Sequence, residues 1–181
     1  MDLPFQLESK RLILRPFTHD NIEVFSNIIN DAQVSKNLKF ILKTEIGENI
    51  EDLFDFIINS SNTSEQAIAL EIIIKESGNC IGFCGLISLK DDMIMECFYA
   101  LLPKFRGYGF AIEAMKKLID YAFLKLNISK IIAYINPKSQ QLWKVAERIG
   151  MKYLGQKQLK DISSKAMCFS IDKTEFEAQK F

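Results

Sequence analysis

Histidine is almost missing from this chain: His19 is the single one in 181 residues. A Ser/His/Asp triad, or a zinc site built on two or three imidazoles, has no material to be assembled from. Cysteine is sparse, and Cys80, Cys84, Cys97 and Cys168 include no Cys-x-x-Cys pair. They read as reduced thiols of an intracellular protein, not as a disulfide framework. Charge of one sign is lacking too: 23 Lys plus Arg against 23 Asp plus Glu gives a formal net charge of +0. No global field draws such a chain to nucleic acid or to anionic lipid, so any charge selectivity is local. No apolar run is long enough to cross a bilayer. Residues 1–11 carry Asp2, Pro4 and Glu8 where a signal peptide needs a basic end and an unbroken apolar stretch. The expectation is a cytoplasmic protein with no metal centre, no nucleic-acid partner and no membrane partner.

What is there is ordinary globular material, 48% hydrophobic, 25% charged and 11% aromatic, which reads as one domain over residues 1–181. Leu12, Ile13, Leu14 and Phe17 make a short strand, and the cap-type residues Thr18, His19, Asp20 and Asn21 precede a helix over 20–30. His19 is placed beside that N-cap. A second amphipathic helix is predicted over 44–59, with Glu45, Glu48, Glu51, Asp52 and Asp55 on a face that reads first as solvated surface. After a polar linker at 61–66 the apolar period shortens toward two. Strands over 67–75, 80–89 and 93–102 are joined by Ser77-Gly78-Asn79 and Lys90-Asp91-Asp92, turns that favour antiparallel hairpins. A helix over 109–126, a strand over 130–136, a helix over 139–149 stopped at Gly150 and strands over 152–159 and 166–171 complete the order. Cys80 and Cys84 share a strand face as small core fillers, and Trp143 and Met151 read as packing residues. The economical solution is an α+β domain: a mixed, mostly antiparallel sheet of about seven strands with helices on both faces.

The most informative segment is Leu102-Pro103-Lys104-Phe105-Arg106-Gly107-Tyr108-Gly109-Phe110-Ala111, between a strand and an amphipathic helix. Glycines let the backbone come close to a ligand, and successive N–H groups at the turn and helix start form a seat for a diphosphate. Arg106 adds a positive charge. A P-loop is excluded because Phe110 and Ala111, not Lys and Ser/Thr, follow Gly109. A dinucleotide fingerprint is excluded because Ile112 stands where its third glycine belongs, and because antiparallel strands come first.

The segment resembles motif A of the GNAT superfamily of acetyl-CoA-dependent N-acetyltransferases, Gln/Arg-x-x-Gly-x-Gly/Ala, through Arg106, Gly109 and Ala111. Ser9-Lys10-Arg11-Leu12-Ile13-Leu14-Arg15-Pro16-Phe17 is similar to the first strand of the branch that acetylates the N-termini of ribosomal proteins. Gly82 and Gly85 resemble that branch's third strand, and Glu147-Arg148-Ile149-Gly150-Met151 its Glu-Lys-Leu-Gly-Phe ending. The resemblance implies a GNAT fold in which two neighbouring strands splay and the pantetheine arm of acetyl-CoA lies in the opening. Ala100, Leu101 and Leu102 would line one side and the end of the 130–136 strand the other, with the diphosphate on the amides of Arg106, Gly107, Tyr108, Gly109, Phe110 and Ala111.

It also implies direct attack of an amine on the thioester, with Glu96 at the position of a glutamate that binds or deprotonates the amine. Three positions depart from the branch's pattern. Where it carries an Asn and, three residues on, a Ser against the cofactor, this chain has Ser139 and Leu142; Ser139 can still donate a hydrogen bond and Leu142 cannot. Ala146 stands where some relatives place a tyrosine that protonates the leaving thiolate. Either the thiolate leaves without a protein acid or Tyr134, Tyr99 or another group serves.

Amine pKa bears on the acceptor. At pH 7 an α-amine is roughly 14% neutral and a lysine-like amine only about 0.04%. A peptide N-terminus or small amine is therefore preferred over a polyamine or aminoglycoside, although the acidic helix face leans the other way. The rival from a different class is a degenerate CoA-binding regulatory module. Oligomeric state, including a homodimer, is left open by the sequence.

Overall fold

The computed structural model describes residues 6–17, 22–32, 34, 67–89, 91–126, 128–159 and 165–178. His19, the helix expected over 44–59 with its acidic face, and the linker at 61–66 lie outside them. The described elements, in order, are β1 (Leu7–Glu8), β2 (Leu12–Pro16), α1 (Ile22–Ile29), β3 (Ala67–Ile74), β4 (Cys80–Leu89) and β5 (Asp91–Leu101). A single 3-10 turn (Pro103–Phe105) leads into α2 (Phe110–Lys125), β6 (Lys130–Ile135), α3 (Gln140–Arg148), β7 (Lys152–Gln158), β8 (Lys165–Asp172) and α4 (Lys173–Ala178).

The strands form one eight-stranded sheet in the order β1-β2-β3-β4-β5-β6-β8-β7. Every neighbouring pair is antiparallel except β5 with β6. The antiparallel hairpins expected between β3, β4 and β5 do form, but the second is tighter than expected: Asp91 and Asp92 already belong to β5, with Asp91 opposite Leu89 and a register shift between Ser88 and Leu89. The sheet exceeds the expected seven by the two-residue β1, too short to leave a periodic signal. The sequence reading also passed over α4. Its start is a reciprocal capping box: Glu175 N–H donates to Asp172 Oδ1 at 2.8 Å and Asp172 N–H to Glu175 Oε2 at 3.1 Å.

Strand alternation sends side chains to two cores. One, under α2 and α3, holds Leu12, Leu14, Cys84, Met95, Cys97, Met115, Leu118 and Ile131. The other, under α1, is built on Phe17, Phe25, Ile28, Phe83 and Phe98. Its rings meet mostly edge to face at centroid separations of 5.3 to 6.2 Å, and each such pair contributes about 0.5–1.5 kcal/mol beyond burial. Helices thus cover both faces, as the periodicity required. Trp143 packs against the first core and Met151 is buried in it.

Gly82 and Gly85 have a steric reason. A Cβ on Gly82 would lie 2.1 Å from the Ala100 carbonyl oxygen, and one on Gly85 would lie 2.2 Å from the Ile68 carbonyl oxygen and from the Phe98 ring. Real Cβ atoms do not approach backbone so closely, so these two residues let β4 seat deep against β3 and against the last third of β5. Gly85→Ala is expected to destabilise by about 2–4 kcal/mol, the range of overpacking plus strand displacement. Gly78→Ala, at a turn whose Cβ position is open, carries only the backbone penalty of its φ of 68° and costs about 1 kcal/mol. Denaturant melts of the two variants check the order.

Candidate active site

β5 and β6 are paired only at Ile94↔Lys130, Met95↔Ile131 and Glu96↔Ile132. Beyond Glu96 the two strands part, while β5 stays paired with β4 as far as Leu101 and β6 with β8 as far as Ile135. The opening is a chamber walled by Cys97, Tyr99, Ala133, Tyr134, Leu142 and Ala146, overwhelmingly apolar and continued beneath α2 by Met115. Leu142 and Ala146, two of the three departures, both face it, so α3 offers carbon there.

Glu96, the last β5 residue paired with β6, is 5% exposed and stands next in the chain to the lining residue Cys97 without itself lining the chamber. It shares the α1 face of β5 with Phe98 and Ala100, and alternation puts Tyr134 of β6 on the same face. Burial raises the Tyr134 phenol above its usual range, and Cys168 and the Glu96 charge add to the shift. Cys168 is Tyr134's partner across β6 and β8. Tyr99 faces the other core, and burial raises its phenol as well. Burial holds the thiols in their neutral form: it pushes Cys97 up to about 12 and Cys80 to about 11, and raises Cys84 and Cys168.

The open end of the groove is the turn from Arg106 to Ala111. Leu101 is buried and Leu102 half-buried, and Pro103 ends the strand. Gly107 and Gly109 have φ of 86° and 80°, a conformation that only glycine adopts freely. Gly109 is the N-cap of α2 and no side chain caps that end. The first helical amide to find a helical carbonyl is that of Glu113, on Gly109 O at 3.1 Å. The amides before it point outward with the helix dipole behind them, which fits a diphosphate. Tyr108 is 65% exposed with its ring 6.1 Å from that of Phe110, and Ala111 packs into the core.

Arg106 is placed differently from the expectation of a charge presented to the ligand. Its Nε donates to Leu101 O at 3.0 Å and its Nη2 to Asp31 Oδ1 at 2.9 Å, where Asp31 also accepts the Val34 amide at 3.0 Å. The guanidinium latches the turn to the end of α1. Ser139 is the N-cap of α3; its carbonyl accepts the Leu142 amide at 2.9 Å, and its amide donates to Asn136 O at 2.8 Å, across from the turn.

Sequence reasoning missed a second latch. Glu113, in the first turn of α2, accepts Ser9 Oγ at 2.8 Å, the Arg11 amide at 2.6 Å and Arg11 Nε at 2.7 Å, and Arg11 Nη1 donates to Tyr108 O at 3.0 Å. No signal in a single chain joins residues about a hundred positions apart.

A strand-split chamber running out to an uncapped, glycine-turned helix start defines a coenzyme-thioester transferase. A family model for the acetyltransferase (GNAT) domain matches residues 11–152, and the chain belongs to that family. It is similar to the uncharacterized N-acetyltransferase p20 of Bacillus licheniformis, 32% identical over 134 residues and covering 74% of each chain. Among solved structures, a GNAT-family acetyltransferase from Bacillus anthracis superposes with a TM-score of 0.77 at 21% identity, over 93% of this chain and 99% of that one. A spermidine N-acetyltransferase from Vibrio cholerae, solved with CoA and spermine, does so with a TM-score of 0.77 at 18% identity and the same coverage. The chain is an acetyl-CoA-dependent acyltransferase. Among the described residues no group of His, Cys, Asp and Glu is placed to hold a metal, and no helix is long and apolar enough to cross a membrane.

Glu113 carries a checkable pH dependence. Burial opposes its charge, but the Arg11 amide, the Arg11 guanidinium and the Ser9 hydroxyl outweigh burial and hold its carboxyl below the usual range. Its contribution to stability is full above the unfolded value and is lost as pH falls through the lowered folded value. Glu113→Gln is expected to make the melting temperature less steeply pH-dependent below about pH 4.5, read by thermal melts across that range.

Proposed function

We propose that this enzyme acetylates a single amine delivered to an apolar chamber, the α-amine of a peptide N-terminus or of a small molecule. The observation that carries the reading is Glu96, a buried carboxylate at the end of the β5–β6 register, with apolar walls around the opening. On the same face Asp31 is held by Arg106 and Glu71 by Arg15, so neither adds a second anionic seat of the kind a polycation would use.

Acetyl-CoA supplies the activated acyl group. The Arg106 amide donates to Pro103 O at 3.1 Å, so the amides from Gly107 to Ala111 are the ones that suit the acetyl-CoA diphosphate, with Leu101, Leu102 and Ser139 along the groove. Glu96 would hold the incoming ammonium and take its proton, since only the neutral amine is a nucleophile. Among the described residues the β6-facing edge of β5 past Glu96 has no strand partner, so a backbone N–H there would stabilise charge on the thioester oxygen. Tyr134, kept protonated by burial, would return a proton to the leaving sulfur. With all four thiols held as thiols, transfer is direct and not through an acyl-cysteine.

Initial-rate patterns should be sequential, and free-thiol release should favour peptide and small α-amines over spermidine and aminoglycosides. A preference for spermidine would replace this acceptor reading with the polyamine one, and CoA binding without release would favour the regulatory module. Glu96→Gln should lower kcat/KM about 10²- to 10³-fold at neutral pH. The deficit should shrink toward pH 9 as the amine deprotonates itself; an unchanged rate would remove Glu96 from the mechanism.

A further inference from the structure

Arg11 lies on the loop between β1 and β2, far from the phosphate turn in sequence, yet its side chain is committed to that turn. Besides the bonds to Glu113 and Tyr108 O, its guanidinium carbon stands 4.5 Å from the centre of the Phe110 ring, and its Nη2 lies 3.6 Å from where a Cβ on Gly109 would be. Two consequences follow from elementary geometry and charge.

In a trans peptide the carbonyl and the N–H point in opposite directions. By drawing the Tyr108 oxygen toward itself at 3.0 Å, Arg11 turns the following Gly109 N–H the other way, outward at the start of α2. That orientation needs the positive φ of Gly109. The second consequence concerns Glu113. A carboxylate in the first turn suits the helix dipole but repels an anion bound at the same helix end, only about 6 Å farther along the axis. Arg11 lies between the two demands, bonding Glu113 through both its amide and its Nε.

We propose that Arg11 is a positioning residue for the diphosphate of acetyl-CoA: it aims the Gly109 amide at the phosphates and cancels the charge of Glu113 beside them. The inference rests on the reading of the 106–111 turn as the diphosphate seat. Ser9 takes part by fixing the Glu113 carboxylate from the other side at 2.8 Å.

The test compares acetyl-CoA with S-acetylpantetheine, which has the same thioester and no diphosphate. Arg11→Ala is expected to raise KM for acetyl-CoA about tenfold while kcat stays within about twofold. Its kcat/KM with S-acetylpantetheine should match the wild type. Adding Glu113→Gln to Arg11→Ala should recover at least about threefold of the lost KM, because the uncompensated anion is gone. A purely structural role predicts the reverse: equal losses with both thioesters, and a double variant worse than the single one. Either result overturns the proposal. Arg11→Lys keeps a cation near Glu113 without the fork that reaches Tyr108, and is expected to raise KM about threefold. It decides the aiming role should Arg11→Ala not fold, and a wild-type KM in it overturns that role. If the wild-type enzyme uses both thioesters equally well, the diphosphate reading of the turn itself falls. A wild-type preference for acetyl-CoA with an unaltered Arg11→Ala removes only Arg11.

Discussion

Everything at this site depends on β5 leaving β6 after three paired residues. Each strand is held along its far side for most of its length, β5 by β4 and β6 by β8, so the parting costs pairing only on the inner edges. Gly82 and Gly85 set the direction. Their missing Cβ atoms leave room for Ala100, Leu101 and Phe98 of β5, the stretch beyond the last β6 pair, to lie close against β4. Pro103 then ends the strand, and Leu102 donates its amide to Ile81 O at 2.9 Å, keeping β5 on the β4 side to its end. The opening is a consequence of where glycine lets two backbones approach.

The turn beyond that opening is fixed from two sides. Arg106 ties it to α1 through Asp31, and Arg11 ties it to the β1–β2 loop while meeting Glu113 of α2. Both cations are matched by a carboxylate. On the proposed reading, the attraction of this turn for a diphosphate rests on backbone amides and the helix dipole more than on net side-chain charge, in keeping with a chain of net charge +0.

The elements that were legible in the sequence are those with a period or a punctuating residue: the hairpins of β3, β4 and β5, the α2 start at Gly109, and the end of α3 at Gly150, whose φ is 94°. The glycine turn at 106–111 was legible because its glycines and the following apolar helix are adjacent in the chain. The latches were not. Arg106 carries the same symbol whether it faces a ligand or Asp31, and Glu113 looks like an ordinary first-turn acid until Arg11 is brought to it from about a hundred residues away. The capping box of α4 was present as Asp172 and Glu175 but is only four residues long, and the strand reading of 166–171 stopped just short of it.

The two departures along α3 make more sense once the chamber is seen as apolar. Leu142 and Ala146 line it beside Cys97 and Ala133, so α3 offers this wall carbon in place of hydrogen-bonding groups. A thiol has a pKa of about 8.5, so a leaving thiolate needs little help at neutral pH, whereas an α-amine at about 7.8 must still shed its proton before it can attack. The heavier demand falls on the acceptor side of the split. On the proposed reading that side holds the buried carboxylate Glu96, with the protonated Tyr134 across the gap on the same face. Apolar side chains on α3 and a carboxylate at Glu96 are then compatible halves of one arrangement, because at neutral pH removing the amine's proton is a heavier demand than supplying one to sulfur.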